Sequence, residues 1–125
     1  MNKEKIFIFD TTLRDGAQTE GVDFSLEDKN KIAKLLSEIG IDYIEGGWPG
    51  ANPVDTEFFS KPLKLNKSIF TAFGMTKKTG RSADNDPSLS SLVNASCPAV
   101  CVVGKSWDFH VKTALGIKNE ENLVN

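Results

Sequence analysis

Apolar residues along this chain gather in four short runs, separated by polar stretches and amphipathic segments. Ile6-Phe7-Ile8-Phe9 is apolar at every position rather than alternating, the pattern of a strand buried on both faces of a parallel sheet, and Asp10 closes it. Ile41 to Glu45 predicts a second strand and Ser68 to Met75 a third. Ala99 to Val103, again continuous, predicts a fourth that ends at Gly104. Between the first two runs, Ser25 is a good N-cap with Asp28 three residues on. Ile32, Leu35, Leu36 and Ile39 then make an i, i+3, i+4, i+7 stripe that Gly40 stops. Lys29, Lys31, Lys34 and Glu38 fall mostly off that stripe and read as a solvated face. Asn52-Pro53 sets an N-cap with proline at the first helical position, opening a helix that carries Phe58 and Phe59 and ends near Pro62. A polar loop from Thr76 leads to Asp86-Pro87, which opens a short helix with Leu89, Leu92 and Val93 on its inner side. The segment from Lys105 to His110 leads into a further helix.

The predicted order is β-α-β-α-β-α-β-α, which implies right-handed crossovers and a parallel sheet covered by helices. Two architectures fit: a doubly wound sheet of flavodoxin type, or half of a (β/α)8 barrel, which as a whole takes about 250 residues. Either way, chemistry gathers at the carboxyl ends of the strands. Four segments lie there: Asp10 to Gly16, Glu45-Gly46-Gly47, Gly74 to Lys77, and Gly104 to His110. In a parallel sheet the ends of the first two strands are neighbours, so Arg14 and Asp15 can share a site with Glu45. A carboxylate free to bind a divalent metal, a guanidinium fork and a second carboxylate to orient that fork suit the stabilisation of a developing oxyanion. The alternative is a salt-bridged rim in which Asp15-Gly16 is only a turn. Gly46-Gly47 and Gly50, flanking Trp48-Pro49, mark a tight loop where backbone comes close to a ligand or to a neighbouring segment.

Composition narrows the function classes. The chain has 125 residues and a formal net charge of −2, with its 15 basic residues scattered, so it carries no electrostatic footprint for nucleic acid. No apolar run approaches the roughly 20 residues of a membrane span, and the N-terminus has no leader-like apolar region, so a cytoplasmic protein is expected. Neither G-x-G-x-x-G after the first strand nor a P-loop occurs. Cys97 and Cys101, if they share one strand, are roughly 13 Å apart, too far for a disulfide. They read as small apolar residues. A single His, His110, excludes a metal site built on two histidines of this chain.

The segments Asp10 to Gln18, DTTLRDGAQ, and Asp42 to Asn52, DYIEGGWPGAN, resemble the DRE-TIM metallolyase family of 2-isopropylmalate, homocitrate and citramalate synthases and their lyase relatives. The segments at Gly46 to Pro53 and Gly104 to Val111, GKSWDFHV, look most like the N-terminal part of the (R)-citramalate synthase branch. The resemblance covers essentially the whole chain. It implies a (β/α)8 barrel of which residues 1–125 are the N-terminal part of the catalytic, pyruvate carboxyltransferase-like domain. It implies a metal-dependent Claisen condensation of acetyl-CoA with pyruvate to citramalate and CoA, as in isoleucine and 2-oxobutanoate biosynthesis. Magnesium, manganese or zinc would be the metal. Asp15 is then a metal ligand, Arg14 stabilises charge on the keto or enolate oxygen, Glu45 holds Arg14, and Gln18 lines the pocket. A homo-oligomer, a dimer in the full-length protein, is expected. The family's His-x-His ligands come from the second half of the barrel, so this chain is expected to be truncated and to lack a complete metal site.

Lys105, Asp108 and His110 match the branch without a role that can be assigned to them. Trp48 and Trp107 suit either pocket walls or packing, and Thr76 and Lys77 are candidates by position. The same family allows a 2-isopropylmalate or homocitrate synthase or a carbon-carbon lyase. A different class, a non-catalytic half-barrel module that associates through its unpaired edges, also suits the length.

Overall fold

Proline and short polar side chains set where the helices begin. A computed structural model of the chain, which describes residues 4–125, shows each cap at work. Helix α1 (Leu26–Glu38) starts at Ser25, whose hydroxyl accepts from the Asp28 amide while the Asp28 carboxylate accepts from the Ser25 amide at 3.0 Å. Helix α2 (Pro53–Phe58) starts at Asn52, which accepts from the Asp55 amide at 2.8 Å. Helix α3 (Pro87–Val93) starts at Asp86, whose buried carboxylate accepts from the amides of Ser88, Leu89 and, across the preceding loop, Lys78. Beyond the sheet, α4 (Asp108–His110) runs into a π-helical turn (Val111–Leu115) that ends at Gly116, where φ is 68°, and α5 (Asn119–Asn122) follows.

Four parallel strands, β1 (Phe9–Asp10), β2 (Tyr43–Gly47), β3 (Ile69–Met75) and β4 (Ala99–Val103), pair in sequential order. That order settles the architecture. A flavodoxin-type sheet places its first strand between the second and third, whereas a barrel wall keeps sequence order. Register runs Asp10 opposite Ile44, Glu45 opposite Thr71 and Phe73 opposite Cys101, with an irregularity between Glu45 and Gly47.

Side chains alternate across the sheet. Ile44, Phe70 and Ala72 face the helices and pack with Ala33, Phe58, Phe59 and Leu92. Phe59 stacks on Phe70 with ring centroids 4.6 Å apart, and Phe58 meets the same ring edge-on at 4.9 Å. The opposite face carries Tyr43, Glu45, Thr71, Phe73 and Cys101.

Several expectations from the sequence are corrected. Only Phe9 and Asp10 of the first run pair as strand, and Ile6, Phe7, Ile8 and Phe9 are exposed, because β1 is an edge with one neighbour. Val100 and Val102 of β4 are exposed for the same reason, and Val93, Leu35 and Ile39 lie outside the core. The buried side of α1 is rotated from the expected stripe and carries Lys29, Ala33 and Ser37, so Lys29 is no part of a solvated face. Cys97 precedes β4 rather than sharing it, and both cysteines are free thiols. Among the described residues no helix is long and apolar enough to cross a membrane.

Two caps predict how stability follows pH. Hydrogen bonds from the Ser25 hydroxyl and amide hold Asp28 below its ordinary 3.8, and the Lys78 amide, followed by those of Leu89 and Ser88, does the same for Asp86 against the opposing effect of burial. Both folded-state values are depressed, so their stabilisation is complete above the unfolded value and is lost as pH falls through the folded one. The urea midpoint should stay level down to about pH 5 and drop as acid is added below it. Replacing both residues by Asn should flatten that drop, and an unchanged acid slope in the double variant would contradict the assignment.

Candidate functional site at the strand ends

The chain turns sharply after β1. Asp10 accepts from the amide and hydroxyl of Thr12, both at 3.0 Å, and the Thr11 carbonyl accepts from the amides of Arg14, Asp15 and Gly16. This turn faces Leu13 into the core and sends Arg14 across the end of β2. The Arg14 Nε donates to Glu45 Oε2 at 2.6 Å, and its Nη1 donates to Asp15 Oδ1 at 3.0 Å. Glu45 is 1% exposed, the Arg14 side chain 20% and the Asp15 side chain 62%, so the three groups run from the interior to solvent.

Two aromatic rings complete the surroundings of the guanidinium. Its carbon lies 4.2 Å from the centroid of Phe73, within range of a cation–π contact, and Trp48 meets Phe73 edge-on at 5.4 Å. Cys101 lies beside Glu45, and burial, followed by that negative charge, pushes its thiol above the ordinary value. Arg14, Gln18 and Trp48 share a cavity of about 410 Å³ with Asp23, Phe24 and Asn52.

The predicted site residues therefore meet: Arg14, Asp15 and Glu45 by direct contact, and Gln18 through the shared cavity. The other candidates lie apart from this contact group. The Lys105 carbonyl accepts from Asn122, the Asp108 carboxylate accepts from the Phe109 amide, and His110 packs against Trp107 at 4.5 Å. Lys77 donates to Asn125, and the Thr76 amide bonds to Val103.

Sequence reasoning missed Phe73, Lys29 and Asp55. Lys29 has a signal that points the right way: Ile32, Ala33 and Leu36 stand at i+3, i+4 and i+7 from it, which places it on the inner side of α1. Its ammonium donates to the carbonyls of Leu13 and Gly46 and pairs with Asp55. No three His, Cys, Asp or Glu side chains among the described residues converge to hold a metal. Asp15 offers an exposed carboxylate, with Oδ2 left over from the Arg14 contact, which fits one position of a hard divalent ion's oxygen shell.

A family model described as HMGL-like matches residues 5–124. The chain belongs to the HMGL-like family. The (R)-citramalate synthase of Aquifex aeolicus is 54% identical over 122 residues, which cover 96% of this chain and 23% of that protein. That of Sulfolobus acidocaldarius is 50% identical over 125 residues, 98% of this chain and 24% of its own. The 2-isopropylmalate synthase of the same organism is 33% identical over 124 residues, 98% of this chain and 30% of its own. The chain thus spans about a quarter of the length of the citramalate synthases it matches. In structure it superposes on an HMG-CoA lyase of Bacillus subtilis with a TM-score of 0.69, at 23% identity, over 98% of this chain and 40% of that one. That likeness concerns the fold, and with the sequential strand order it makes this HMGL-like chain the N-terminal half of a (β/α)8 barrel.

The glycines of the second strand end have a physical reason within this family member. A Cβ on Gly46 would overlap the rings of Phe70 and Phe58, and one on Gly47, where φ is 152°, would overlap the Asp55 carboxylate. The close approach is to neighbouring segments of the chain itself. Gly46→Ala should therefore destabilise by about 1–3 kcal/mol through overpacking, read as a lower denaturant midpoint with an unchanged slope. A neutral Gly46→Ala would mean that the rings have room to move.

Proposed function

We propose that this chain is the N-terminal part of the catalytic barrel of an acyltransferase that condenses acetyl-CoA with pyruvate to give citramalate and CoA, the reaction of isoleucine and 2-oxobutanoate biosynthesis. The observation that carries the reading is the Arg14–Glu45–Asp15 arrangement at two adjacent strand ends, in a chain 42–54% identical to five (R)-citramalate synthases and 33–36% identical to three 2-isopropylmalate synthases.

In the reaction the methyl group of acetyl-CoA loses a proton, the resulting carbon attacks the keto carbon of pyruvate, and the keto oxygen takes up negative charge and then a proton. Water cleaves the thioester and CoA leaves as the thiol. Arg14 suits the charged oxygen. Glu45 engages its Nε and Asp15 its Nη1, so the fork is fixed before substrate arrives, and fixed donors need no reorganisation as charge develops. The Phe73 ring supports the guanidinium on one side and keeps water from that side. Gln18, which lines the same cavity as Arg14, would bind the polar end of the 2-oxo acid. A divalent metal, when bound, supplies Lewis-acid polarisation of the 2-oxo acid's oxygens, and Asp15 would give it one ligand. Edge residues such as Ile6, Ile8, Val100 and Val102, exposed in this chain, are covered by other segments or a further copy in the active protein, which we take to be a homo-oligomer in the cytoplasm.

The test is CoA release by the protein that carries this chain, expected only with pyruvate and a divalent metal present. Arg14→Lys, which keeps the charge but loses the fork, should lower kcat by about 100-fold, and Asp15→Asn should nearly abolish turnover. Equal turnover with 2-oxoisovalerate or 2-oxoglutarate would overturn the choice of pyruvate, and release without any 2-oxo acid would overturn the condensation.

A further inference from the structure

Three charged side chains of α1 make ion pairs, Glu27 and Lys31 with each other at the surface and Lys29 in the interior. Its ammonium has three protons and three acceptors: the Leu13 carbonyl at 3.0 Å, the Gly46 carbonyl at 2.9 Å and Asp55 Oδ1. Leu13 is the residue before Arg14, and Gly46 is the residue after Glu45. The Leu13 carbonyl belongs to the same planar peptide unit as the Arg14 amide, so fixing one fixes the other. One buried cation therefore joins the two strand ends from the helix side of the sheet, while Arg14 and Glu45 join them from the opposite side. Asp55 extends the hold, because its second oxygen accepts from the Trp48 amide at 2.9 Å. Trp48 in turn packs on Phe73, the ring beneath the Arg14 guanidinium.

Stability alone gives little reason for such a pair. A buried ion pair is often no more stabilising than a well-packed apolar pair of similar volume. What an ammonium offers, and an apolar side chain cannot, is three donors aimed at acceptors from three separate segments.

We propose that Lys29 is a positioning residue, with Asp55 as its counter-ion, that sets the separation of the two strand ends and so the orientation of the Arg14 guanidinium against Glu45. Its bearing on the reaction rests on the role given to Arg14 above, but its effect on geometry does not.

The direct readout is the Arg14 Nε–H resonance of the isotopically labelled chain, which the Glu45 hydrogen bond should shift and protect from solvent exchange. The double variant Lys29→Met with Asp55→Asn removes both charges together and leaves an acceptor for Trp48. It should keep the protected amides of β3 and β4 but lose the protected Arg14 signal, or exchange it at least about tenfold faster. A folded double variant with an unchanged Arg14 signal would overturn the proposal. If the variant does not fold, the unmodified chain decides: the Lys29 ammonium protons and the Arg14 Nε–H should exchange through one shared local opening with the same denaturant dependence, and independent openings would overturn it. In the protein that carries this chain, the double variant should also lower kcat by about tenfold or more. Absence of condensation in the unmodified protein would overturn the functional reading and leave the spectroscopic result standing.

Discussion

Glu45 holds a carboxylate at a position with 1% exposure, and a charge so placed requires a partner. Arg14 supplies it at 2.6 Å from the end of the neighbouring strand, and much of the arrangement depends on that contact. It links β1 to β2 beyond the two residue pairs their ladder provides. The tight turn from Asp10 to Gly16 brings the guanidinium there, and the same turn leaves Asp15 at the open rim. Without a partner for Glu45, the concave side of the sheet would hold an uncompensated charge between Thr71 and Cys101.

The two sides of the sheet divide the work. On the helix side, Phe58, Phe59 and Phe70 pack ring on ring within the buried apolar cluster, and the Lys29–Asp55 pair lies beside them and holds backbone carbonyls. On the opposite side, Arg14 lies between the buried Glu45 carboxylate and the Phe73 ring. Gly46 and Gly47 permit both at once, since any larger side chain there would enter the aromatic cluster or displace Asp55. Packing thus fixes the positions that the charges then use, which is how a pre-organised donor is kept from relaxing toward solvent.

What the sequence revealed and what it concealed follow from the range of the interactions concerned. Caps at Ser25, Asn52 and Asp86 are local, and each was legible from a few residues. Strand order was not: the alternation of elements fits two sheets, and only pairing across the chain separates them. Arg14, Asp15 and Glu45 could be brought together by the general geometry of parallel strand ends. Phe73 could not, because an aromatic residue in an apolar strand looks the same whether it faces the core or a guanidinium. Lys29 was misread because its charge outweighed its position. A lysine is ordinarily solvated, and its burial depends on Asp55, 26 residues away in sequence. The exposure of Ile6 to Phe9 and of Val100 and Val102 was hidden for a related reason, since an apolar run does not say whether it has neighbours on one side or two.

The central claim is that the buried charge at the end of β2 and the guanidinium from β1 stabilise each other directly. A double-mutant cycle on the folding stability of the chain, with Arg14→Ala, Glu45→Gln and the pair, measures that interaction alone. The account predicts a coupling of at least about 1.5 kcal/mol, as for close pairs with one desolvated partner. Additivity within about 0.5 kcal/mol would contradict it, since independent sites behave that way.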